Sequence, residues 1–208
     1  MSFWTENTTE PKRNFRWRVT MGNLASLGTG ANINSSAVWW AKTVDTPSYT
    51  VTDITHPFYD NEYKFPGRVQ WQDVSMTLVD PISPNAAQLT NQIILNAGYS
   101  IKGAAEFASA GSSKPTSITK AAANAAVGAV VIDIFSGAGD VVESWTMFNP
   151  FITSVKFSTL DYSNDDMRTI DLTWKYDWAG CDHPDGGNGD KNQFPRPNGA
   201  PSTSTGRN

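Results

Sequence analysis

The sequence predicts a mainly β chain: two packed antiparallel sheets, sandwich- or barrel-like, with one accessory helix and a long hairpin. Three observations carry that expectation. Apolar residues recur at every second position in several separate runs, the period of a strand with one buried face. Turn-forming Gly, Asn, Asp and Pro punctuate those runs. One segment carries a capped helical stripe. The 208 residues suit one principal domain with appendages, and 39% hydrophobic and 12% aromatic content argues against wholesale disorder.

Residues 1–14 are polar and read as an N-terminal arm. In Phe15–Met21, Phe15, Trp17, Val19 and Met21 alternate with Arg16, Arg18 and Thr20, which predicts the first strand. Gly22–Ser36 is loop chemistry, Ala37–Val44 the second strand, and Pro47 interrupts the run because it cannot donate to a ladder. Tyr49–Ile54 is extended and leads into a hairpin whose turn is expected at Asp60-Asn61. Val69–Val79 puts Val74, Met76 and Leu78 on one face, with a bulge near Gln72-Asp73 bringing Trp71 to that face. The helix signal is Ser83 as cap, Pro84 at the first position, Gly98 as stop, and Ala86, Leu89, Ile93 and Ala97 along one stripe. Ser100–Gly128, dominated by Ala, Ser, Gly and Lys, reads as a variable insertion, either loop or weak helix around Ala121–Ala126.

Strands return at Ala129–Phe135 and Val141–Phe148, flanking the Gly-rich loop Ser136–Asp140. Asn149-Pro150 breaks the pattern; Phe151–Tyr162 and Met167–Trp178 then flank a turn at Ser163–Asp166. The last of these alternates Ile170, Leu172, Trp174, Tyr176 and Trp178 against Thr169, Asp171, Thr173, Lys175 and Asp177, one dry face and one wet face. The β domain therefore spans 15–178. Residues 179–208, rich in Gly and Pro, read as a tail with too little apolar area to offset its ordering entropy.

Charge and chemistry narrow the function. With 16 Lys+Arg against 20 Asp+Glu, a net charge of −4 gives no general attraction to phosphate. The N-terminus lacks a signal-peptide apolar core, and Ala121–Phe135 is short and broken by Asn124 and Asp133, so no membrane anchoring is expected. The single cysteine excludes an internal disulfide. Cys181-Asp182-His183-Pro184-Asp185 gathers three ligand types, but matches no structural zinc spacing and falls in the tail, where a solvated segment is the expectation. His56 has no nucleophile in a recognisable arrangement, Asp165-Asp166 sits in a turn, and Gly137-Ala-Gly139 is too short for a dinucleotide fingerprint. No enzyme, metal or cofactor is expected. Trp39 and Trp40, adjacent in a strand, must point to opposite faces, and the outward indole predicts a protein–protein contact. A carbohydrate-stacking platform, in a monomeric carbohydrate-binding β-module, is the alternative use of such aromatics.

The C-terminal half carries a family likeness. The run Glu143–Val155, then Leu160–Asn164, then Thr169–Trp178, resembles the ending of tail tube proteins from contractile-tailed, T-even-like bacteriophages: strand, Pro-containing break, strand, Asn/Asp turn, and a closing strand ending in aromatics around Asp. Lys64–Asp80 is similar to that family's long hairpin, with a basic Gly-Arg turn and the strand before its helix. Ser100–Gly128 and the tail after Trp178 have no counterpart in it.

The resemblance implies a structural virion protein, assembled in the host cytoplasm, six copies of which close into a ring. Rings would stack into the inner tube that delivers genomic DNA without binding it specifically. The partners implied are other copies, the tail sheath outside, and baseplate and tail-terminator proteins at the ends. A baseplate tube initiator or cap of the same fold is the alternative. On this reading the hairpin side chains His56, Pro57, Phe58, Tyr59, Asp60, Asn61, Glu62, Tyr63 and Phe65 are candidates for ring stacking. Asp171, Lys175 and Asp177 are candidates for the lumen wall, with a net negative bore expected, and Trp39 and Trp40 for contacts between subunits.

Overall fold

The computed structural model describes residues 11–23, 38–83, 85–99, 117–163 and 165–183. Among these residues, ten strands and two helices run in the order β1 (Trp17–Met21), β2 (Ala41–Val44), β3 (Tyr49–Phe58), β4 (Asn61–Trp71), β5 (Val74–Val79), α1 (Ala86–Asn96), α2 (Lys120–Val127), β6 (Val130–Phe135), β7 (Val141–Phe148), β8 (Phe151–Phe157), β9 (Thr169–Lys175) and β10 (Trp178–Asp182). They form one sheet ordered β1-β6-β7-β10, a second ordered β2-β5-β9-β8, and the separate two-stranded hairpin β3-β4. All pairings are antiparallel and neither four-stranded sheet closes into a barrel. Among the described residues no helix is long and apolar enough to cross a membrane.

Alternation makes the core. Val74, Met76 and Leu78 of β5 lie across from Trp174, Leu172 and Ile170 of β9, and all six are buried. Val19 and Met21 of β1 lie across from Ile132 and Val130 of β6, while Met147 of β7 and Ala179 of β10 extend the same face. These two inner faces, with Ala86, Leu89 and Ile93 of α1 and Ala123, Ala126 and Val127 of α2, form a single apolar cluster. Apolar burial of this kind is the main favourable term of folding.

Several boundaries differ from those the sequence suggests. α1 starts later: Asn85, not Ser83, is the cap, its side-chain oxygen accepting from the Gln88 amide at 2.7 Å, and Pro84 lies outside the described residues. Gly98 does follow the helix, at φ 106°, where an L side chain is strained. Of the two readings left open around Ala121–Ala126, loop or weak helix, the structure has the helix: Thr119 caps α2 by accepting from the Ala122 amide, and Gly128 ends it. The 100–116 part of the insertion, most of the 22–36 loop, residues 1–10 of the arm and the 184–208 part of the tail lie outside the described residues.

The long closing strand is in fact two. β9 stops at Lys175, and after Tyr176-Asp177 the chain enters the other sheet as β10, pairing with β7 up to Asp182 and carrying ordered structure past the boundary set at Trp178. Val69–Val79 likewise divides at Gln72-Asp73, where the hairpin ends and the sheet begins, so the expected bulge there is a strand change. Trp71 still reaches the core, its ring 5.8 Å from that of Tyr176. Trp39 and Trp40 sit in a turn ahead of β2, not in a strand, yet take opposite environments: Trp40 is 4% exposed and Trp39 68%.

Candidate assembly surfaces

The hairpin leaves the body with almost every side chain in water. Ten residues of β3 reach about 33 Å at roughly 3.3 Å each. Pairing runs from Phe58↔Asn61 through His56↔Tyr63 and Ile54↔Phe65 to Asp53↔Pro66, then shifts by one residue before Val51↔Val69 and Tyr49↔Trp71. The turn is therefore Tyr59-Asp60, one position before the expected Asp60-Asn61, with Tyr59 at φ 53°. Gly67-Arg68 is not a turn. It lies within β4, where its two residues oppose the single Thr52 in a β-bulge. The Arg68 amide donates to Thr52 Oγ1 at 2.9 Å, and the Thr52 hydroxyl donates to the Arg68 carbonyl at 3.2 Å.

The bulge reverses the hairpin's apolar face. Along β3, side chains alternate without interruption, and opposed residues share a face. Near the tip, Ile54, His56 and Phe58 with Phe65, Tyr63 and Asn61 form one face; Asp53, Thr55 and Pro57 with Pro66, Lys64 and Glu62 form the other. At the base, the apolar residues Tyr49, Val51, Val69 and Trp71 lie on the side that is mostly polar near the tip. There Tyr49 packs edge-on to Trp71, which joins the body's core. On the basal apolar face only Trp71 packs against the chain's own core, while Tyr49, Val51 and Val69 stay exposed. The other, with Phe58 56%, Tyr63 51% and Phe65 55% exposed, has no cover within the described residues.

The expected lumen residues separate. Asp171 and Lys175 are exposed on the wet face of β9, amid Ser75 and Thr77 of β5 and Ser154 and Lys156 of β8. Asp171 accepts from the Thr77 hydroxyl at 2.8 Å and lies across from Lys156, while Lys175 lies 3.7 Å from Asp73. This face balances its charges. Asp177 is not on it. Its carboxylate, in the β9–β10 crossover, accepts from Lys120 of α2 at 2.6 and 2.7 Å and from Asn149 of the β7–β8 crossover at 2.8 Å. Burial alone would raise the Asp177 carboxyl; these hydrogen bonds and the Lys120 charge outweigh it and hold the group below its ordinary value.

The pairing of β7 with β10 also brings together residues far apart in sequence. Cys181 lies across from Trp145 and Asp182 across from Ser144, so His183 follows opposite Glu143. Cys181 is buried in a strand rather than solvated in a tail, its sulfur 3.8 Å from His183 Nδ1 and 3.9 Å from Nε2. His183 Nε2 is 4.0 Å from Glu143 Oε2. Lys12 of the arm donates to that same oxygen, and the Trp145 indole N–H donates to Oε1. Burial, with the Glu143 charge beside it, pushes the Cys181 thiol up to about 11. Asp185 lies outside the described residues. Near the same end, Lys12, Trp17, Val44, Ile132, Ile134 and Glu143 line an open cleft of 510 Å³.

No protein-family model matches the chain, and no curated protein matches it in sequence. Its fold is nevertheless shared with solved structures. A chain of the anti-feeding prophage tube-terminating cap superposes with a TM-score of 0.56 at 16% identity, over 84% of this chain and 93% of that one. A chain of the six-fold symmetrised baseplate of the same prophage gives 0.55 at 14% identity, over 83% and 96%. A chain of the sheath–tube complex of an extracellular contractile injection system gives 0.53 at 16% identity, over 86% and 99%. The likeness is one of fold, to components of contractile systems in general and not to the T-even-like branch in particular.

Proposed function

We propose that this chain is a structural, non-enzymatic tube subunit of a contractile tail, six copies forming a ring and rings stacking into the inner tube. The carrying observation is the uncovered distal face of the hairpin, Ile54, Phe58, Tyr63 and Phe65, on the side opposite that of Trp71, the hairpin residue that packs onto the chain's own core. A lone two-stranded hairpin is marginal in water, and an exposed apolar patch of this kind marks an interface. A protruding element that fits a different surface on an identical copy makes a head-to-tail contact, which generates rings or filaments. The fold shared with chains of a sheath–tube complex, a cap and a baseplate supports the same reading.

In this reading the hairpin contacts the next ring, exposed Trp39 contacts a neighbouring subunit, and the β9 face with Asp171 and Lys175 lines the lumen. Its neutral hydroxyls and balanced charges offer passing DNA few cations to hold it. Sheath protein surrounds the tube, baseplate and terminator proteins close its ends, and the tube is part of a T-even-like phage virion assembled in the host cytoplasm. A tube initiator or cap is the second reading, favoured by the fold shared with cap and baseplate chains.

Negative-stain electron microscopy of the purified chain tests the proposal. Six-fold rings or tubes are expected, and deletion of Phe58–Tyr63 should abolish stacking. Rings that never stack favour the initiator or cap. Compact monomers that bind polysaccharide would replace both readings with a carbohydrate-binding module.

A further inference from the structure

We propose that Glu143, Cys181 and His183 form a binding site for a thiophilic divalent cation of the zinc type, with one carboxylate oxygen, the thiolate sulfur and one imidazole nitrogen as its protein ligands. The site is independent of the tube reading, because every donor belongs to one chain and one sheet.

Geometry carries the assignment. Two donors come from alternate positions of β10 and its continuation, and the third from the facing position of β7. Strand parity therefore turns Glu143, Trp145, Cys181 and His183 to the same face. Their donor atoms all lie within 4.8 Å of one another. Tetrahedral zinc with ordinary bond lengths separates sulfur from nitrogen by roughly 3.6 Å and nitrogen from oxygen by roughly 3.4 Å. With Nε2 as the ligand nitrogen, the observed separations of 3.9 Å to the sulfur and 4.0 Å to Oε2 close to those values through small side-chain rotations.

The surroundings are those of a built site. The Trp145 indole holds Oε1 of Glu143, which leaves Oε2 for the cluster, as a supporting hydrogen bond orients a ligand carboxylate. Cys181 is buried among core residues, so its sulfur is shielded on one side. Oε2 already engages a cation, the ammonium of the half-exposed Lys12 side chain, which a metal ion binding here would displace. Thiolate, imidazole and carboxylate together select zinc over hard cations such as magnesium or calcium. Three protein ligands leave one position for water. A cation here would tie the edge strand β10 to β7 at the point where the chain leaves the sheet.

The test uses the full chain, reduced, freed of metal by chelation, and titrated with Co²⁺. Expected are saturation at a single Co²⁺ per chain, sulfur-to-cobalt charge-transfer absorption with the visible bands of a tetrahedral ion, and displacement by Zn²⁺. Cys181→Ala should remove the charge-transfer band. Glu143→Gln and His183→Ala, the latter on an exposed residue whose loss leaves the core intact, should each weaken binding roughly tenfold or more. Absence of the band in the wild-type chain overturns the proposal. So does a band whose titration is unchanged in both Glu143→Gln and His183→Ala, since the thiol alone would then explain it.

Discussion

Gly67 faces Thr52 across the hairpin so closely that a Cβ on Gly67 would lie 2.4 Å from Thr52 Oγ1 and 2.8 Å from its backbone oxygen. The threonine hydroxyl can rotate away; the carbonyl cannot. The bulge that reverses the apolar face thus depends on a missing side chain at one position and a paired hydroxyl at the other. Gly67→Ala should shift the β3–β4 register and weaken the hairpin by ~1–3 kcal/mol, while leaving the two-sheet core unchanged. Hydrogen exchange of the 49–71 amides should rise in the variant, with near-ultraviolet circular dichroism of the core tryptophans preserved.

The adjacent indoles should respond in opposite ways. Trp40 is buried, its ring edge-on to Trp39 at 5.5 Å, so Trp40→Ala should cost ~3–5 kcal/mol. Its indole N–H has no hydrogen-bond partner among the described residues, and Trp40→Phe, which removes that group, should cost far less. Trp39→Ala should stay within about 0.5 kcal/mol of the wild type. Urea denaturation of the three variants under dissociating conditions measures all of this.

Helix capping offers a clean comparison. Asn85→Ala removes the acceptor for the Gln88 amide and should destabilise the chain by ~1 kcal/mol. Ser83→Ala, at an exposed position ahead of the cap, should be neutral in the same thermal melts.

The Asp177 carboxyl, held below its ordinary value, stabilises the fold in its ionised form. That contribution is fully present above the unfolded value of about 4 and is lost as the pH falls through the lower folded value. The group is 38% exposed, so the gain is discounted for solvent screening to ~0.5 kcal/mol. Lys120→Met should therefore lower stability at neutral pH and flatten its decline in acid, read from melting temperatures between neutral pH and pH ~3.

Period and turn chemistry made most of the β architecture legible, because alternation directly reports which side of a strand is dry. Val74, Met76 and Leu78, and the Ala86–Leu89–Ile93–Ala97 stripe, are buried as the pattern requires. Alternation is blind to a change of sheet. Ile170 to Trp178 keeps its parity across Tyr176-Asp177, with no Gly or Pro to mark the crossover, so Asp177 looked like a wall residue and is a clamp between α2 and two connections. β10 reads as loop because Ala179-Gly180-Cys181 is small and unpatterned; burial against β7, with Gly180 under the Phe148 ring, makes it a strand. α2 lacked a convincing stripe, yet Thr119 and Gly128 framed it as cap and stop. The approach of Glu143 to Cys181 and His183 is a property of register alone. Sequence supplied the ligand types and not the third partner.

Sedimentation velocity over a wide concentration range tests the central claim most directly: that the distal hairpin face is completed by another copy of this chain. The wild type should sediment as rings and larger stacks, and Phe58→Ser/Phe65→Ser as much smaller species with an unchanged core melting profile. A wild-type chain that remains a single 22.7 kDa particle at the highest concentration, indistinguishable from the variant, would contradict it.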